Sequence, residues 1–352
     1  MDLDKIYNPI QRELREVDRI LHEAIRRTSN NSILEAADYL LESPGKKLRP
    51  ALVILSAKAA SRRQSPLTAL QLANLAAAME LIHMASLIHD DVVDHAMLRH
   101  NKPSVNAKWG EDVSIALGDY LYSVGFELIS FCRNSDILSC ISQAAKSMCE
   151  GELTQIFERD NTHLLEKRGQ ATFLNVTNSC QKSSLSPFLS NIIIVKKKTA
   201  SLFAASCQAG AILSKCPRPF ENALKGYGLN FGVAFQIIDD YMDLVAEQKI
   251  LGKFPGQDIA MGEVTLPLLN LVESVSEEER PQLQKLLNSK SADALKKIRP
   301  WILKNSNALS RTKKITLYYL NSAQKRLKPL PESDYKNSLF RLVHYMRLKA
   351  GF

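Results

Sequence analysis

A long apolar stretch from Leu67 to Asp94, without glycine or proline, limits the possible fold more than any other part of the chain. Its apolar residues recur at helical spacing, which is typical of a buried helix. Six further stretches have the same spacing: 33–41, 114–131, 137–157, 198–213, 219–245 and 265–272. Alternating strand patterns are absent, and glycine contributes only 14 of 352 residues. The sequence therefore predicts an all-α fold, in one domain over residues 1–352, with roughly ten or more helices.

Two segments do not follow the helical pattern. Residues 98–110 contain Pro103 and end at Gly110, and we expect a loop there. Residues 159–191 are polar and mixed, with many serine, asparagine and threonine residues, and predict a surface insertion.

Two acidic motifs of the form D-D-x-x-D end long apolar helical stretches. Their aspartates are Asp90, Asp91 and Asp94 in the first motif, and Asp239, Asp240 and Asp243 in the second. Residues i and i+4 share one face of a helix, so the carboxylates of each motif lie close together and repel one another. Magnesium suits such a site, because it prefers oxygen ligands and bridges carboxylates to phosphates. Either motif alone could also be an acidic helix end in water.

Basic residues stand close to both acidic motifs in the sequence. Lys46 and Arg49 lie in the segment Gly45–Pro50, Arg99 follows Asp94, and Lys253 follows the second motif. We also expect Lys198 and Thr199 to open a helix. His83 is two helical turns before Asp90 and shares its face; a core histidine is the alternative interpretation. Cations beside magnesium-binding carboxylates indicate a site for diphosphate groups.

Together these motifs resemble the polyprenyl synthetase family of trans-isoprenyl diphosphate synthases, from about Ala36 to the C-terminus. The resemblance depends on an ordered set: Gly45-Lys46-x-Leu48-Arg49-Pro50, Leu81-Ile82-His83 through Asp90 to Asp94, Arg99, Gly118-Asp119-Tyr120-Leu121, Gly151-Glu152-x-x-Gln155, Lys198-Thr199-Ala200, Phe235-Gln236 through Asp239 to Asp243, and Gly252-Lys253. It implies an isoprenoid synthase fold around a central cavity and a homodimer.

The resemblance also implies a mechanism and a role for each residue. Three Mg²⁺ ions would bind an allylic diphosphate between the two motifs, mainly through Asp90, Asp94 and Asp239. Arg99, Lys198 and Lys253 would contact the same diphosphate. Isopentenyl diphosphate would be bound by Lys46, Arg49 and His83 and would attack the allylic carbocation, which Thr199 and Gln236 face.

The sequence departs from the family pattern in three places. His100 stands where a second arginine usually binds isopentenyl diphosphate, and a histidine is only partly charged near neutral pH. Pro44 replaces a common glycine, and Glu263 replaces a frequent lysine. These changes leave open a weakly active chain, or a non-catalytic subunit of a heteromeric synthase. A terpene cyclase fits less well, because cyclases usually keep one aspartate-rich motif and do not need Lys46 and Arg49.

Product length depends on the residues just before the first acidic motif. Short-chain members of the family have aromatic side chains at the positions of Ala85 and Ser86. The small residues here imply an open channel and a product longer than farnesyl diphosphate. The alternative is that they serve helix packing and a large neighbour fills the space.

The net charge of +9 is concentrated at the C-terminus. From Lys296 onward 14 lysines and arginines oppose Glu332 and Asp334, which gives +12. Such a region could contact a membrane surface or simply be solvated. No nucleic-acid-binding signature accompanies it.

No apolar run reaches the ~20 residues of a membrane span, and the N-terminus lacks a signal-peptide pattern. We therefore expect a cytoplasmic protein.

Overall fold

The computed structural model describes residues 2–42, 45–61, 68–99, 101–159, 186–245, 256–289 and 294–351. The α-helices are α1 (Leu3–Tyr7), α2 (Gln11–Ile25), α3 (Asn31–Leu41), α4 (Leu48–Ala60), α5 (Ala69–Val93), α6 (Val105–Trp109), α7 (Glu111–Ser130), α8 (Ser135–Arg159), α9 (Pro187–Val195), α10 (Ser201–Leu213), α11 (Arg218–Val245), α12 (Gln257–Met261), α13 (Leu266–Ser274), α14 (Arg280–Leu287), α15 (Ala294–Lys304), α16 (Ser306–Arg326) and α17 (Asp334–Lys349). A short 3₁₀ helix spans Asn8–Ile10, and a π-helical turn spans Lys196–Ala200. The prediction of an all-α fold is confirmed.

Helix α5 lies at the centre of the bundle. The Thr68 side chain accepts a hydrogen bond from the Gln71 backbone N–H and caps its first turn. The helix packs against α2, α4 and α7, and its middle section is buried on all sides. By length and composition α5 could cross a bilayer, but 72% of that apolar window is buried inside the protein. We therefore interpret it as a core helix.

The remaining long helices complete the bundle around α5. Helix α10 packs against α4, α8 and α11, and α11 packs against α16. The C-terminal helix α17 is joined to the rest by buried hydrogen bonds, in which the Tyr227 hydroxyl donates to the Leu339 carbonyl (2.9 Å) and the Ser338 hydroxyl to the Ile6 carbonyl (2.8 Å). A second, smaller apolar cluster is formed by residues between Leu244 and Ala308.

The segment 98–110 is more ordered than a loop. It forms a two-stranded antiparallel ladder, β1 (Leu98–Arg99) with β2 (Lys102–Pro103), followed by α6. The Ser104 hydroxyl accepts a hydrogen bond from the Ala107 backbone N–H, which caps this short helix. The loop prediction missed this structure because each element is too short to show a period.

Both ends of the predicted insertion at 159–191 belong to helices. Residue Arg159 ends α8, and residues 187–191 belong to α9, where Ser190 is buried. The Asn191 side-chain amide donates to the Val264 carbonyl at 3.0 Å. Residues 160–185 lie outside the described part of the chain, and the prediction of an insertion stays a prediction for them.

Candidate active site

A single cavity of about 1270 Å³ opens between α4, α5, α8, α11, the π-helical turn and α17. The predicted site residues that line it are Lys46, Arg49, His83, Asp90, Asp91, Asp94, Arg99, Lys198, Thr199, Gln236, Asp239 and Asp240. Helices α5 and α11 each bring an acidic motif to this cavity with their last turns. Residues from far apart in the sequence therefore meet in one space.

Within the first motif, the aspartates have different surroundings. Asp91 is 4% exposed and forms a two-bond ion pair with Arg99, whose Nε and Nη2 donate to its carboxylate at 2.6 Å. This pair joins the end of α5 to the β1–β2 ladder. Asp90 and Asp94 line the same cavity one helical turn apart. The Asp91 carboxylate and Arg99 therefore already neutralise each other, which the sequence did not indicate.

Asp90 is the aspartate whose protonation is most affected by its surroundings. Burial raises its pKa to about 7; Lys198 and Arg99 oppose the rise, whereas Glu152 and Asp94 add to it. A carboxylate in this position is costly to ionise unless a positive charge lies beside it. The position thus suits a bound cation.

Lys198 lies opposite Asp90 on the π-helical turn, and its ammonium forms an ion pair with Glu152 of α8. Burial lowers its pKa, but the carboxylates of Asp90, Glu152 and Glu263 outweigh burial, and the net shift is upward. Lys198 therefore stays charged. The expectation that Lys198 opens a helix is wrong, because it lies in the π-helical turn between α9 and α10.

Gly151 explains how α8 comes so close to this turn. A Cβ atom at Gly151 would lie 2.6 Å from the Lys198 backbone nitrogen and 2.9 Å from the Lys197 Cβ. Only a residue without a side chain permits that approach. The glycine therefore allows the neighbouring Glu152 to reach the Lys198 ammonium.

In the second motif, a chain of hydrogen bonds fixes the side chains. The Thr199 hydroxyl donates to the Gln236 Oε1, and the Gln236 Nε2 donates to the Asp240 Oδ1, both at 2.7 Å. The Thr199 proton points to Gln236, so the lone pairs of the Thr199 oxygen remain available to the cavity. The Asp239 and Asp240 side chains both line the cavity.

Asp243 differs from the other five motif aspartates. It is completely buried and is not among the residues that line the cavity, contrary to the expectation of a metal ligand there. Asp90 and Asp94 have the same spacing and both line the cavity, so the motif spacing alone does not decide which carboxylates reach it. Its backbone carbonyl accepts a hydrogen bond from the Gly256 N–H at 3.2 Å.

Lys46 lies just before α4, and Arg49 lies in its first turn. Arg49 is buried, and its guanidinium stacks over the Phe203 ring at 4.4 Å. Burial lowers the pKa of Arg49 to about 10, and the charge of Glu80 opposes that fall. The Lys46 backbone carbonyl accepts a hydrogen bond from the Tyr7 hydroxyl at 3.1 Å. His83 lines the cavity on the adjacent face of α5.

Two predicted substrate-binding residues, His100 and Lys253, lie outside the described residues, as does Pro44. Conversely, the structure also places at the cavity charged residues that sequence reasoning did not assign to the site, among them Glu80, Glu152 and Lys349. Glu152 belongs to the motif Gly151-Glu152-x-x-Gln155, and this motif could have identified it as a site residue. Glu80 lay unnoticed in an apolar helix, and Lys349 was one of many basic residues near the C-terminus.

Among the described residues, no group of three or more histidine, cysteine, aspartate or glutamate side chains is close enough to hold a metal ion by itself. The two motifs contribute carboxylates from separate helices. An ion here would therefore need further oxygen ligands, and diphosphate and water are such ligands.

Comparison with known proteins gives consistent results. The model of the family described as "Polyprenyl synthetase" matches residues 30–302. A "Short chain isoprenyl diphosphate synthase" from Methanothermobacter thermautotrophicus is 32% identical, with 94% of each chain covered. "Heptaprenyl diphosphate synthase component 2" from Bacillus subtilis is 30% identical, over 98% of this chain and 90% of that one. A crystal structure of polyprenyl synthase from Caulobacter crescentus, complexed with calcium and isoprenyl diphosphate, has a TM-score of 0.85 and 28% identity, over 98% of this chain and 97% of that one.

Proposed function

Because the chain belongs to the polyprenyl synthetase family, we propose that it is a magnesium-dependent prenyltransferase that condenses isopentenyl diphosphate with an allylic diphosphate. The product is an all-trans polyprenyl diphosphate. The main support is that five of the six motif aspartates, all but Asp243, line one cavity together with Lys46, Arg49 and Lys198. Carboxylates and cations around one cavity are what binding of two diphosphates requires.

The residues present fit the proposed metal. Asp90, Asp94 and Asp239 offer hard oxygen ligands from two helices, and burial raises the pKa of Asp90 although Lys198 and Arg99 oppose the rise. A solved relative contains a divalent cation, calcium, with isoprenyl diphosphate. When bound, about three Mg²⁺ ions would stabilise the negative charge of the departing diphosphate. Asp91 and Asp240 would support these ligands, and Asp243 is too deeply buried to do so directly.

The chain's own residues have distinct parts in the proposed reaction. Lys198 binds the allylic diphosphate and stabilises the charge that develops as it leaves, and Lys253 assists it. Arg99, whose Nε and Nη2 are bonded to Asp91, contributes its remaining N–H donors. Thr199 and Gln236 direct their oxygens toward the allylic carbocation. Lys46, Arg49, His83 and His100 bind isopentenyl diphosphate so that its double bond faces the carbocation. A proton lost to the departed diphosphate completes each addition.

For product length, we propose a chain longer than farnesyl. Ser86 lines the cavity below Asp90, and its small side chain turns back to donate a hydrogen bond to the His83 carbonyl at 2.8 Å. Ala85 is completely buried, and its methyl side chain occupies little space beside Ser86. Tyr122 and Met148 also line the cavity, and we propose them as candidates for its floor. The names of the relatives range from short-chain to heptaprenyl diphosphate synthases. Sequence identity alone therefore does not determine the product length of this chain.

The experiment that tests this function is an assay of the purified chain with farnesyl and isopentenyl diphosphates. We expect a longer prenyl diphosphate with Mg²⁺, and none with EDTA. The double variant Asp90→Asn with Asp239→Asn should lose at least about 10³-fold in kcat/KM, because it removes charge ligands from both motifs. Asp112→Asn, the same chemical change at an exposed position of α7, is the matched control. Full activity of the double variant would refute the proposal.

A second candidate function is a subunit of a heteromeric synthase. Two observations favour it: His100 replaces an arginine, and one relative is named component 2 of a heptaprenyl diphosphate synthase. The same assay separates the two functions. If the chain binds both diphosphates but forms product only after a partner is added, it is a subunit of a heteromeric synthase.

We also propose a cytoplasmic homodimer that contacts membranes transiently. Exposed apolar side chains of α7 and α8, among them Val113, Ile115, Leu138 and Leu153, suit a subunit interface. Exposed cations of α16, including Lys314 and Lys325, suit an anionic membrane that receives the product. Co-sedimentation with anionic liposomes should fall when those lysines are neutralised. No role in nucleic-acid binding is proposed.

A further inference from the structure

Lys47, the residue immediately before α4, has an unusual backbone conformation. Its φ is 49° and its ψ is 37°, which is the left-handed region that a residue with a side chain rarely adopts. His95, Arg133 and Lys215 also have positive φ angles, but each of them follows the end of a helix, where this conformation is common. Lys47 precedes a helix, so the usual explanation does not apply to it.

The conformation of Lys47 determines the course of the chain between two proposed substrate-binding residues. Lys46 precedes Lys47, and Arg49 lies in the first turn of α4, where the Lys47 carbonyl accepts a hydrogen bond from the Ala51 N–H at 3.0 Å. All residues from 45 to 49 line the cavity. A change in the φ angle of Lys47 would therefore rotate Lys46 relative to Arg49.

The first restraint on this segment comes from α1. The Tyr7 hydroxyl donates a hydrogen bond to the Lys46 carbonyl at 3.1 Å, and Tyr7 is buried. Burial raises the pKa of Tyr7, and the charge of Glu80 adds to the rise, so the hydroxyl keeps its proton. Helix α1 is itself anchored, because the Ser338 hydroxyl of α17 donates to the Ile6 carbonyl. Tyr7 is thus a fixed donor to the backbone of Lys46.

The second restraint comes from α2. The Asp18 carboxylate forms an ion pair with the Lys47 ammonium, and the Lys47 side chain is only 22% exposed. Val17 and Leu21 are buried in the core, so the helix that carries Asp18 is itself fixed by packing. The ion pair therefore joins the left-handed residue to a helix that cannot shift freely.

Glu80 of α5 lies on a third side of the segment. A Cβ atom at Gly45 would be 3.7 Å from the Glu80 Oε1. Burial raises the pKa of Glu80, the charges of Arg49 and Lys47 oppose the rise, and the charge of Asp18 adds to it. The ion pair between Asp18 and Lys47 therefore faces the core helix α5, and the segment is enclosed by three helices.

A residue with a side chain persists in the left-handed region where its surroundings hold it there. We propose that Tyr7 and Asp18 are positioning residues, which keep Lys47 in this conformation and thereby direct Lys46 and Arg49 toward isopentenyl diphosphate. The inference rests on the proposed function and adds the N-terminal helices α1 and α2 to its non-allylic site. Neither Tyr7 nor Asp18 has to contact the substrate in this role.

Two variants of Lys47 itself separate positioning from direct binding. Lys47→Ala and Lys47→Gly both remove the ammonium group, but only glycine adopts the left-handed conformation without strain. Calorimetry with isopentenyl diphosphate alone measures binding without turnover. We expect Lys47→Ala to weaken binding at least about tenfold, and Lys47→Gly to remain within about threefold of the unaltered chain. An equal loss in both variants would mean that the Lys47 charge itself binds the substrate, and would overturn the inference.

The two restraining residues are tested by Asp18→Ala and Tyr7→Phe, each with a matched control. Glu16→Ala removes a carboxylate of α2 whose ion pair stays within that helix. Tyr120→Phe removes a hydroxyl that donates to the Ile25 carbonyl at 2.9 Å, at the far end of α2. We expect the two test variants to weaken isopentenyl diphosphate binding at least about fivefold, and both controls to bind as the unaltered chain does.

Steady-state kinetics and a double variant add readings that a purely stabilising role would not change. In Asp18→Ala the KM for isopentenyl diphosphate should rise, while kcat and the KM for farnesyl diphosphate stay within about twofold. In a chain that already carries Lys47→Gly, adding Asp18→Ala should change the affinity less than about twofold, because glycine does not need the ion pair.

Each outcome gives an answer. Equal losses of affinity for both diphosphates in Asp18→Ala, or a loss that Lys47→Gly does not reduce, overturns the inference. If the chain makes no product but its binding of isopentenyl diphosphate depends on these residues as expected, the proposed function fails and the inference stands. If the unaltered chain does not bind isopentenyl diphosphate at all, both fail.

Discussion

Asp90 and Lys198 show how single residues at this site depend on each other's charge. Burial favours the neutral form of both, yet Lys198 remains charged because three carboxylates surround it. Asp90 has its pKa raised to about 7, because burial outweighs the opposing charges of Lys198 and Arg99. Counted with its neighbours Asp94 and Glu152, Asp90 makes three carboxylates beside two cations, so negative charge is in surplus there. That surplus is the physical reason to expect a divalent cation there.

The raised pKa of Asp90 predicts how the free protein responds to pH. A carboxyl group whose pKa is higher in the folded state stabilises the fold at low pH. That stabilisation is complete below the ordinary pKa of 3.8 and is lost as pH rises to about 7. We measure the melting temperature of the unaltered chain minus that of Asp90→Asn, both in EDTA. We expect this difference to fall as the pH is raised from about 5 to about 7. The fall should be about 2 °C per kcal/mol lost, as measured by calorimetry.

Magnesium with pyrophosphate should reduce this pH dependence, because bound cations favour the ionised carboxylate. Asp112→Asn is the control and should keep the slope of the unaltered chain. Identical slopes for Asp90→Asn and the unaltered chain would contradict the assignment of the raised pKa to Asp90.

At the scale of elements, long helices followed from the sequence and short or irregular ones did not. The stretch 67–94 predicted α5, which spans Ala69–Val93, because many apolar residues repeat the same spacing. The π-helical turn at Lys196–Ala200 has no such signal, since one extra residue in a helix leaves local composition unchanged. The hairpin at Leu98 is likewise too short for periodicity. Both irregular elements place site residues, Lys198 and Arg99.

The contact between α8 and the π-helical turn predicts the effect of Gly151→Ala. An added methyl would meet the Lys198 backbone, which cannot move without displacing the turn. We expect the two elements to separate, the Lys198–Glu152 ion pair to weaken, and the KM for the allylic diphosphate to rise about tenfold or more. Steady-state kinetics with varied farnesyl diphosphate measure this effect.

Gly226→Ala in α11 is the matched control for that prediction. A Cβ atom there would meet only the flexible end of the Arg326 side chain, at 3.0 Å. Alanine also has the higher helix propensity, so this variant should be as stable as the unaltered chain and equally active. Equal losses in both variants would show that the close approach at Gly151 is not specific to Lys198.

The face of α5 below the first motif predicts product length. In Ser86→Phe, a ring placed at the cavity wall should block the path of the growing chain, and chromatography of the products should show shorter prenyl groups. The control is Ser123→Phe, at an exposed position of α7. An active Ser86→Phe variant with unchanged product length would mean that the chain does not pass Ser86.

For the whole molecule, topology decided which site residues could be anticipated. The two acidic motifs and Lys46, Arg49 and Lys198 had motif signals, and the structure brings all of them except Asp243 to one cavity. Lys349 had none, because only the packing of α17 against α4 brings it to the cavity. Asp243 had the motif signal but lies buried away from the cavity, since a motif does not record how far its helix is rotated. Sequence patterns thus predicted residue types well and orientation less well.

The exposed apolar face of α7 and α8 leads to a prediction about assembly. Leu138 and Leu153 are 47% and 53% exposed, although leucine is usually buried. If this face joins two copies, a glutamate at either position places a charge in an apolar interface without a partner. We therefore expect Leu138→Glu with Leu153→Glu to raise the dimer dissociation constant about a hundredfold or more, as measured by sedimentation velocity. Leu70→Glu makes the same change at a 56% exposed position outside this face and should leave the dimer intact. A monomeric unaltered chain at micromolar concentration, or equal dissociation in the Leu70 variant, would exclude this face as the interface.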